Sequence, residues 1–212
     1  MKIVKAGCII VDDIDGKRIL QKLEACGRTA YKSEHRITPD SAPEFIGRLI
    51  RMGHESVLEH VSVSVRFLTD RSTSHQIVRH RLASYTQESQ RYINYTNQKF
   101  GGHVVFVCPS FLMDRPADCE QAILWKEAME NAEKAYFALI EAGAYPQEAR
   151  SVLPNSTKTE LVMTANLREW RHFLKMRLSK GAHPDIRMLA EDLLDQFQSR
   201  IPVVFDDIKE ED

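Results

Sequence analysis

No stretch of this chain is apolar for long enough to cross a bilayer, and Met1-Lys2-Ile3-Val4-Lys5 lacks the apolar run of a secretory leader. Both absences point to a cytoplasmic protein with no membrane role. Cysteine is scarce. Cys8, Cys26, Cys108 and Cys119 are scattered with no CxxC pair, which argues against a disulfide framework or a cysteine zinc site and suits reduced thiols. An excess of one charge is missing too: 29 Lys and Arg face 30 Asp and Glu. A net charge of −1 disfavours general electrostatic capture of nucleic acid. No glycine-rich phosphate loop follows any expected strand, so a Rossmann or P-loop site is not expected, and side chains must hold any nucleotide. Neither a repeat nor a low-complexity linker interrupts the 212 residues, and one domain over 1–212 is expected.

What the chain does have is a dense polar stretch from Arg79 to Tyr92, which opens Arg79-His80-Arg81 and runs through Gln87, Ser89 and Arg91. A core strand of this composition would bury too many charges. The pattern reads as a surface for anions, with guanidinium forks for phosphates and hydroxyls and amides for a base. Five arginines between Arg66 and Arg91 face only Asp70 and Glu88, which suits a small polyanionic ligand.

Around it the pattern alternates strands and helices, an α/β or α+β chain. A first strand is expected over 2–11, then a helix from Lys17 to Cys26 stopped by Gly27. Ser41-Ala42-Pro43-Glu44 reads as a capping box for a helix that buries Phe45, Ile46, Leu49 and Ile50 and ends at Gly53. Val61 to Phe67 alternates strictly and predicts a strand. Asp70 or Ser72 then caps a short helix through Arg79. Val104 to Cys108 is a further strand. A long helix begins at Pro116, with Ile123, Ala128, Ala132, Ala135 and Leu139 inward and Gly143 at its end. Pro146 opens a short helix containing Arg150, and residues 157–165 read as a strand. Asn166 to Glu169 forms a second capping box for a helix to about Ser179. Pro184 opens the last helix, with Ile186, Leu189, Ala190, Leu193 and Phe197 on one face. Asp206 to Asp212 reads as a frayed acidic tail.

On a helical wheel from Asn166, Trp170, Phe173 and Leu174 form the buried arc, and Leu167 and Leu178 edge it. Arg177 falls inside the arc, while Arg168 and His172 lie opposite. An arginine there needs a partner. That partner is either a structural carboxylate or solvent reached by snorkelling, or else an anionic ligand.

Arg79-His80-Arg81, seven residues, Ser89 and then Arg91-Tyr92 resemble the signature of the flavin-dependent thymidylate synthases. Gly53-His54-Glu55 and Glu59-His60 upstream, and Arg150 to Pro154, Asn166-Leu167-Arg168 and Arg177 downstream, extend the resemblance over nearly the whole chain. Thr86-Gln87 replaces the Asn-Glu of some members, and His172 replaces an Asn. The resemblance implies a twisted, mostly antiparallel sheet packed against helices and a homotetramer with shared active sites. It implies synthesis of dTMP from dUMP, with methylenetetrahydrofolate as carbon donor, FAD as hydride carrier and NADPH as reductant. Ser56, Arg79, His80, Arg81, Gln87, Asn166, Arg168 and His172 would bind FAD. Gln76, Arg79, Gln87, Ser89, Arg91, Arg150 and Arg177 would bind dUMP. His54 would lie near folate, and Arg177 would be catalytic, stabilising negative charge on the uracil.

The chemistry agrees with that assignment. A dianionic phosphate and a diphosphate together call for several guanidiniums. With no cysteine near the motif, a preorganised cation is the consistent way to activate C5 of the pyrimidine. Ser89 has no adjacent histidine to activate it and reads as a ligand-binding hydroxyl. His54, Glu59 and His60 lack HExxH spacing, so no metal is expected. His60 reads as a histidine packed under the sheet and Trp170 as core. Two rivals remain. One is a nucleic-acid-binding module. The other is a related flavoenzyme that installs another one-carbon group, such as hydroxymethyl.

Overall fold

The computed structural model describes residues 1–209. In chain order the elements are β1 (Lys2–Val4), β2 (Gly7–Ile10), α1 (Gly16–Arg28), α2 (Ala42–Arg51), β3 (Ser62–Asp70), α3 (Arg71–Ile77), β4 (Ala83–Gln87), β5 (Val105–Val107), α4 (Ser110–Met113), α5 (Glu120–Glu141), α6 (Pro146–Ala149), β6 (Lys158–Asn166), α7 (Leu167–Arg177) and α8 (Pro184–Arg200). This is a mixed α/β fold with a mostly antiparallel sheet. Four strands lie in the order β2-β3-β6-β4, and β1 pairs with β5 in a separate parallel pair. The described chain divides into two compact units. The first comprises 1–7, 67–78 and 86–161, and the second comprises 8–66, 79–85 and the described residues from 162 onward.

In the first unit β1 aligns Lys2 with Val105, Ile3 with Phe106 and Val4 with Val107. The core gathers Tyr95, Val104, Phe106, Met129, Tyr136 and Ala149. Met129 and Tyr136 are the buried residues of α5, seven apart and so on one face. The face differs from the expected one: Ile123, Ala128 and Ala135 are exposed, and the helix starts at Glu120, after Cys119, rather than at Pro116. One carboxylate, Glu133, accepts from both the Met1 ammonium (2.6 Å) and the Val104 amide (2.8 Å). Asp70 caps α3 by accepting from the Thr73 amide at 2.9 Å, as expected, but the helix ends at Ile77, before Arg79.

In the second unit α7 and α8 bury Trp170, Phe173, Leu189, Leu193 and Phe197, and Phe197 stacks on Phe205 at 4.4 Å. Each such large apolar side chain contributes about 1.5–3 kcal/mol on burial. The Trp170 indole donates to the Val63 carbonyl at 2.9 Å. The strict alternation of β3 is borne out, with Val61, Val63 and Val65 buried here and Phe67 buried in the first unit. Gly27 does not stop α1, which continues to Arg28. Its lack of a side chain serves packing instead, because a Cβ there would sit 2.9 Å from the Phe45 ring. The Ser41 capping box does not form. That hydroxyl turns to the buried Glu24 carboxylate at 2.8 Å, which Arg28 also holds. Gly53 does end α2, with φ +73 and a His54 amide bond back to the Leu49 carbonyl.

Two further expectations are corrected. The first strand is two, β1 and β2, broken at Lys5-Ala6 and placed in different sheets. The acidic end does not fray from Asp206: Val204, Phe205 and Ile208 are buried and Asp207 is ion-paired, while 210–212 lie outside the described residues.

Candidate functional site

A cavity of about 1140 Å³ opens within the second unit. Three segments line it: Glu55 and Glu59 before β3, Arg79 to Leu82 before β4, and Asn166 to Arg177 on α7. The motif lies where α3 has ended and the sheet's edge strand β4 has not yet paired, so its side chains emerge from irregular backbone. Asn166 caps α7 by accepting from the Glu169 amide at 2.9 Å, and the helix ends at Arg177 rather than near Ser179. Only half of the expected capping box forms, because the Glu169 side chain turns toward His80 instead.

Of the residues expected to bind flavin, Arg79, His80, Arg81, Asn166, Arg168 and His172 all line the cavity, as does Arg177. Ser56 and His54 are exposed and do not line it. Nor is His60 packed under the sheet; it is exposed. Gln76, Gln87, Ser89, Arg91 and Arg150 belong to the first unit. There the Gln87 amide donates to the hydroxyls of Ser74 (3.0 Å) and Thr159 (3.2 Å), and the Ser89 hydroxyl accepts from the Arg91 amide. The Arg150 Nε donates to the Gln147 carbonyl, and the half-buried Gln76 sits near the end of α3.

The cavity's charge favours anions. Arg79, Arg81, Arg168, Lys175 and Arg177 face Glu55, Glu59 and Glu169. Two of those carboxylates are committed, Glu59 to Arg168 at 2.6 Å and Glu55 to Arg171 at 3.0 Å. Arg171 is the largest surprise on α7. It is 1 % exposed, and its guanidinium binds Glu55, Asp207 and the Val204 carbonyl together. A carboxylate near it in sequence would have flagged it, but Glu55 is 116 residues away.

Arg177 is half-buried and donates through Nε to His80 Nε2 at 3.0 Å. The His80 ring is buried against Phe173 (4.8 Å) and edge-on to His172 (5.6 Å). Burial first, then the charges of Arg177 and His172, push His80 down to about 4, so it is neutral near pH 7. Burial also raises Glu169. His80 Nδ1 lies 3.3 Å from Glu169 Oε1, but the contact is not aligned as a hydrogen bond. With His80 neutral, it is not an ion pair either. Ligand atoms of His80, Glu169 and His172 come within 4.8 Å of one another, a spacing that could admit a metal ion. The surrounding guanidiniums oppose a cation there, and Arg177 already occupies Nε2.

Residues 15–203 match the family model described as thymidylate synthase complementing protein. A protein of Mycobacterium bovis described as flavin-dependent thymidylate synthase is 36% identical over 213 residues, covering 93% of this chain and 82% of that one. One of Pyrococcus furiosus with the same description is 35% identical over 175 residues, covering 82% and 70%. Among solved structures, a UMP/dUMP methylase, PolB, from Streptomyces cacaoi bound with 5-Br dUMP superposes with a TM-score of 0.77 at 25% identity, covering 97% of this chain and 95% of that one.

Proposed function

The chain belongs to the flavin-dependent thymidylate synthase family, and from that premise we propose that it converts dUMP to dTMP, with methylenetetrahydrofolate as carbon donor and NADPH as reductant. The observation that carries this reading is the cavity that gathers Arg79-His80-Arg81 with Asn166, Arg168, His172 and Arg177. Its donor set fits FAD: a diphosphate needs guanidinium forks, and the rings need amide and imidazole edges. When bound, FAD supplies hydride and one-carbon transfer chemistry.

The chain's own residues bind, orient and polarise. Arg79, Arg81 and Arg168 hold the diphosphate, and Ser56, Asn166, His80 and His172 contact the rest of the cofactor. Gln87 is assigned to both cofactor and nucleotide. Gln76, Ser89, Arg91, Arg150 and Arg79 hold dUMP. Arg177 stabilises negative charge at N3 or the adjacent carbonyl of the uracil, which makes C5 more nucleophilic without a cysteine addition. His54 is assigned to the folate. The protein acts as a single domain in a homotetramer with shared sites, and sedimentation should show a species of four chains.

Purified protein given dUMP, methylenetetrahydrofolate, FAD and NADPH should yield a nucleotide with the mass of dTMP. A product of another mass, or none, would sink the proposal. A second reading, methylation of UMP as well, is favoured by the name of the Streptomyces neighbour. Replacing dUMP with UMP in the same assay separates the two.

A further inference from the structure

Glu169 carries no role in the reading above, yet it is a buried carboxylate in the cavity, on the same helix as Arg177 and directly beside His80. A guanidinium only donates, so the 3.0 Å contact from Arg177 Nε obliges His80 Nε2 to accept. A neutral imidazole that accepts at Nε2 carries its proton at Nδ1. That proton is in a buried ring, and among the described residues Nδ1 makes no aligned hydrogen bond. The Glu169 Oε1 oxygen, 3.3 Å away, is an acceptor within reach of a small ring or carboxylate rotation.

We propose that Glu169 is a positioning residue: it holds His80 in the Nδ1–H tautomer, so that Nε2 accepts from Arg177 and fixes the plane of that guanidinium. The series Glu169, His80, Arg177 lies wholly within the second unit. The other tautomer would put two N–H groups, from Arg177 and from His80, head to head. The Arg177 side chain would then have to turn away. The ring packs against Phe173 and meets His172 edge-on, and its tautomer decides whether Nε2 can accept from Arg177. The consequence for turnover rests on the role proposed above for Arg177, whereas the tautomer itself does not.

Protein labelled with 15N-histidine reports the tautomer directly, with the His80 signals assigned by their absence in His80→Gln. In unliganded wild type, His80 should show an unprotonated Nε2 and a protonated Nδ1. In Glu169→Ala the Nε2–H form should become populated. The kcat should fall by about tenfold to a hundredfold, the scale of a misplaced reacting group, with the KM for dUMP little changed. In Glu169→Gln the amide oxygen still accepts from Nδ1–H, so both tautomer and kcat should recover most of the way. An Nε2–H tautomer in the wild type overturns the proposal even if Glu169→Ala fails to fold. An unchanged tautomer with unchanged kcat in Glu169→Ala overturns it as well. If the wild type makes no methylated pyrimidine nucleotide, the function reading fails while the tautomer result still stands or falls alone.

Discussion

Arg177 is where burial and charge are most at odds. Both burial and the neighbouring Arg79 lower its affinity for a proton, yet an arginine stays charged at any working pH. Arg177→Ala should keep the fold and the bound flavin while kcat falls at least about a hundredfold, since a preorganised charge aimed at a developing anion is worth several kcal/mol. Arg177→Lys should recover little, because an ammonium has no Nε–H plane to lock onto His80. Stopped-flow turnover alongside flavin absorbance checks both. His80 makes a second prediction, about pH. Its folded pKa, about 4, lies below the usual 6.5, so the unfolded chain takes up the proton first as pH falls. Its contribution is fully present above 6.5 and is lost as the pH drops toward 4. Arg177, His172 and Glu169 face it, and Glu169, whose pKa is raised, acts in the opposite sense nearer its own range. Between pH 6.5 and 5 the urea midpoint of the wild type should therefore fall more than that of His80→Gln.

At the scale of elements, α7 ties the cavity to the C-terminal segment. Arg171 is buried and binds Asp207 at 2.7 Å through Nη2, which holds that carboxyl below its usual range. The same guanidinium holds Glu55, and Lys175 adds a looser contact to Glu55 at 3.6 Å. Removing the buried guanidinium forfeits several charge-assisted hydrogen bonds, each worth about 1.5–3 kcal/mol. Arg171→Ala should lower the thermal midpoint steeply, whereas Lys175→Ala, an exposed pair member, should barely move it. Patterns that report burial by period were legible. The alternation of β3 and the apolar arcs of α7 and α8 survive intact, because apolar side chains have one place to go. The face of α5 was not legible: its alanines fit either side, and Met129 and Tyr136 decided it. Gly27 read as punctuation because a missing Cβ looks the same at a helix end and at a close contact. Glu169 and Arg171 were invisible as site residues. A charge inside a helix reads as solvated until its partner is known, and theirs come from distant segments. The arginines and His80 of the motif were legible because their density has no solvated explanation.

For the molecule as a whole, the balance of charge and its placement point in different directions, and that difference can be measured. The net charge is −1, yet five cationic side chains line one cavity, and two of its three carboxylates are tied up in ion pairs. A chain that captured nucleic acid would spread its cations along a surface, and its affinity would fall steeply with salt as counterions returned to the phosphates. Cations gathered in one cavity favour a small polyanion, because their fields add over a compact site rather than along an extended surface. The purified protein should therefore be yellow or become so with FAD. Arg81→Ala should lose flavin absorbance while its circular dichroism and urea midpoint stay close to wild type, since Arg81 is exposed and contributes no core packing. Duplex DNA should show no retained binding at about 0.15 M salt. A colourless protein that cannot take up FAD, yet binds DNA with a steep salt slope, would reverse the assignment of the Arg79–Arg81 segment from cofactor to nucleic acid.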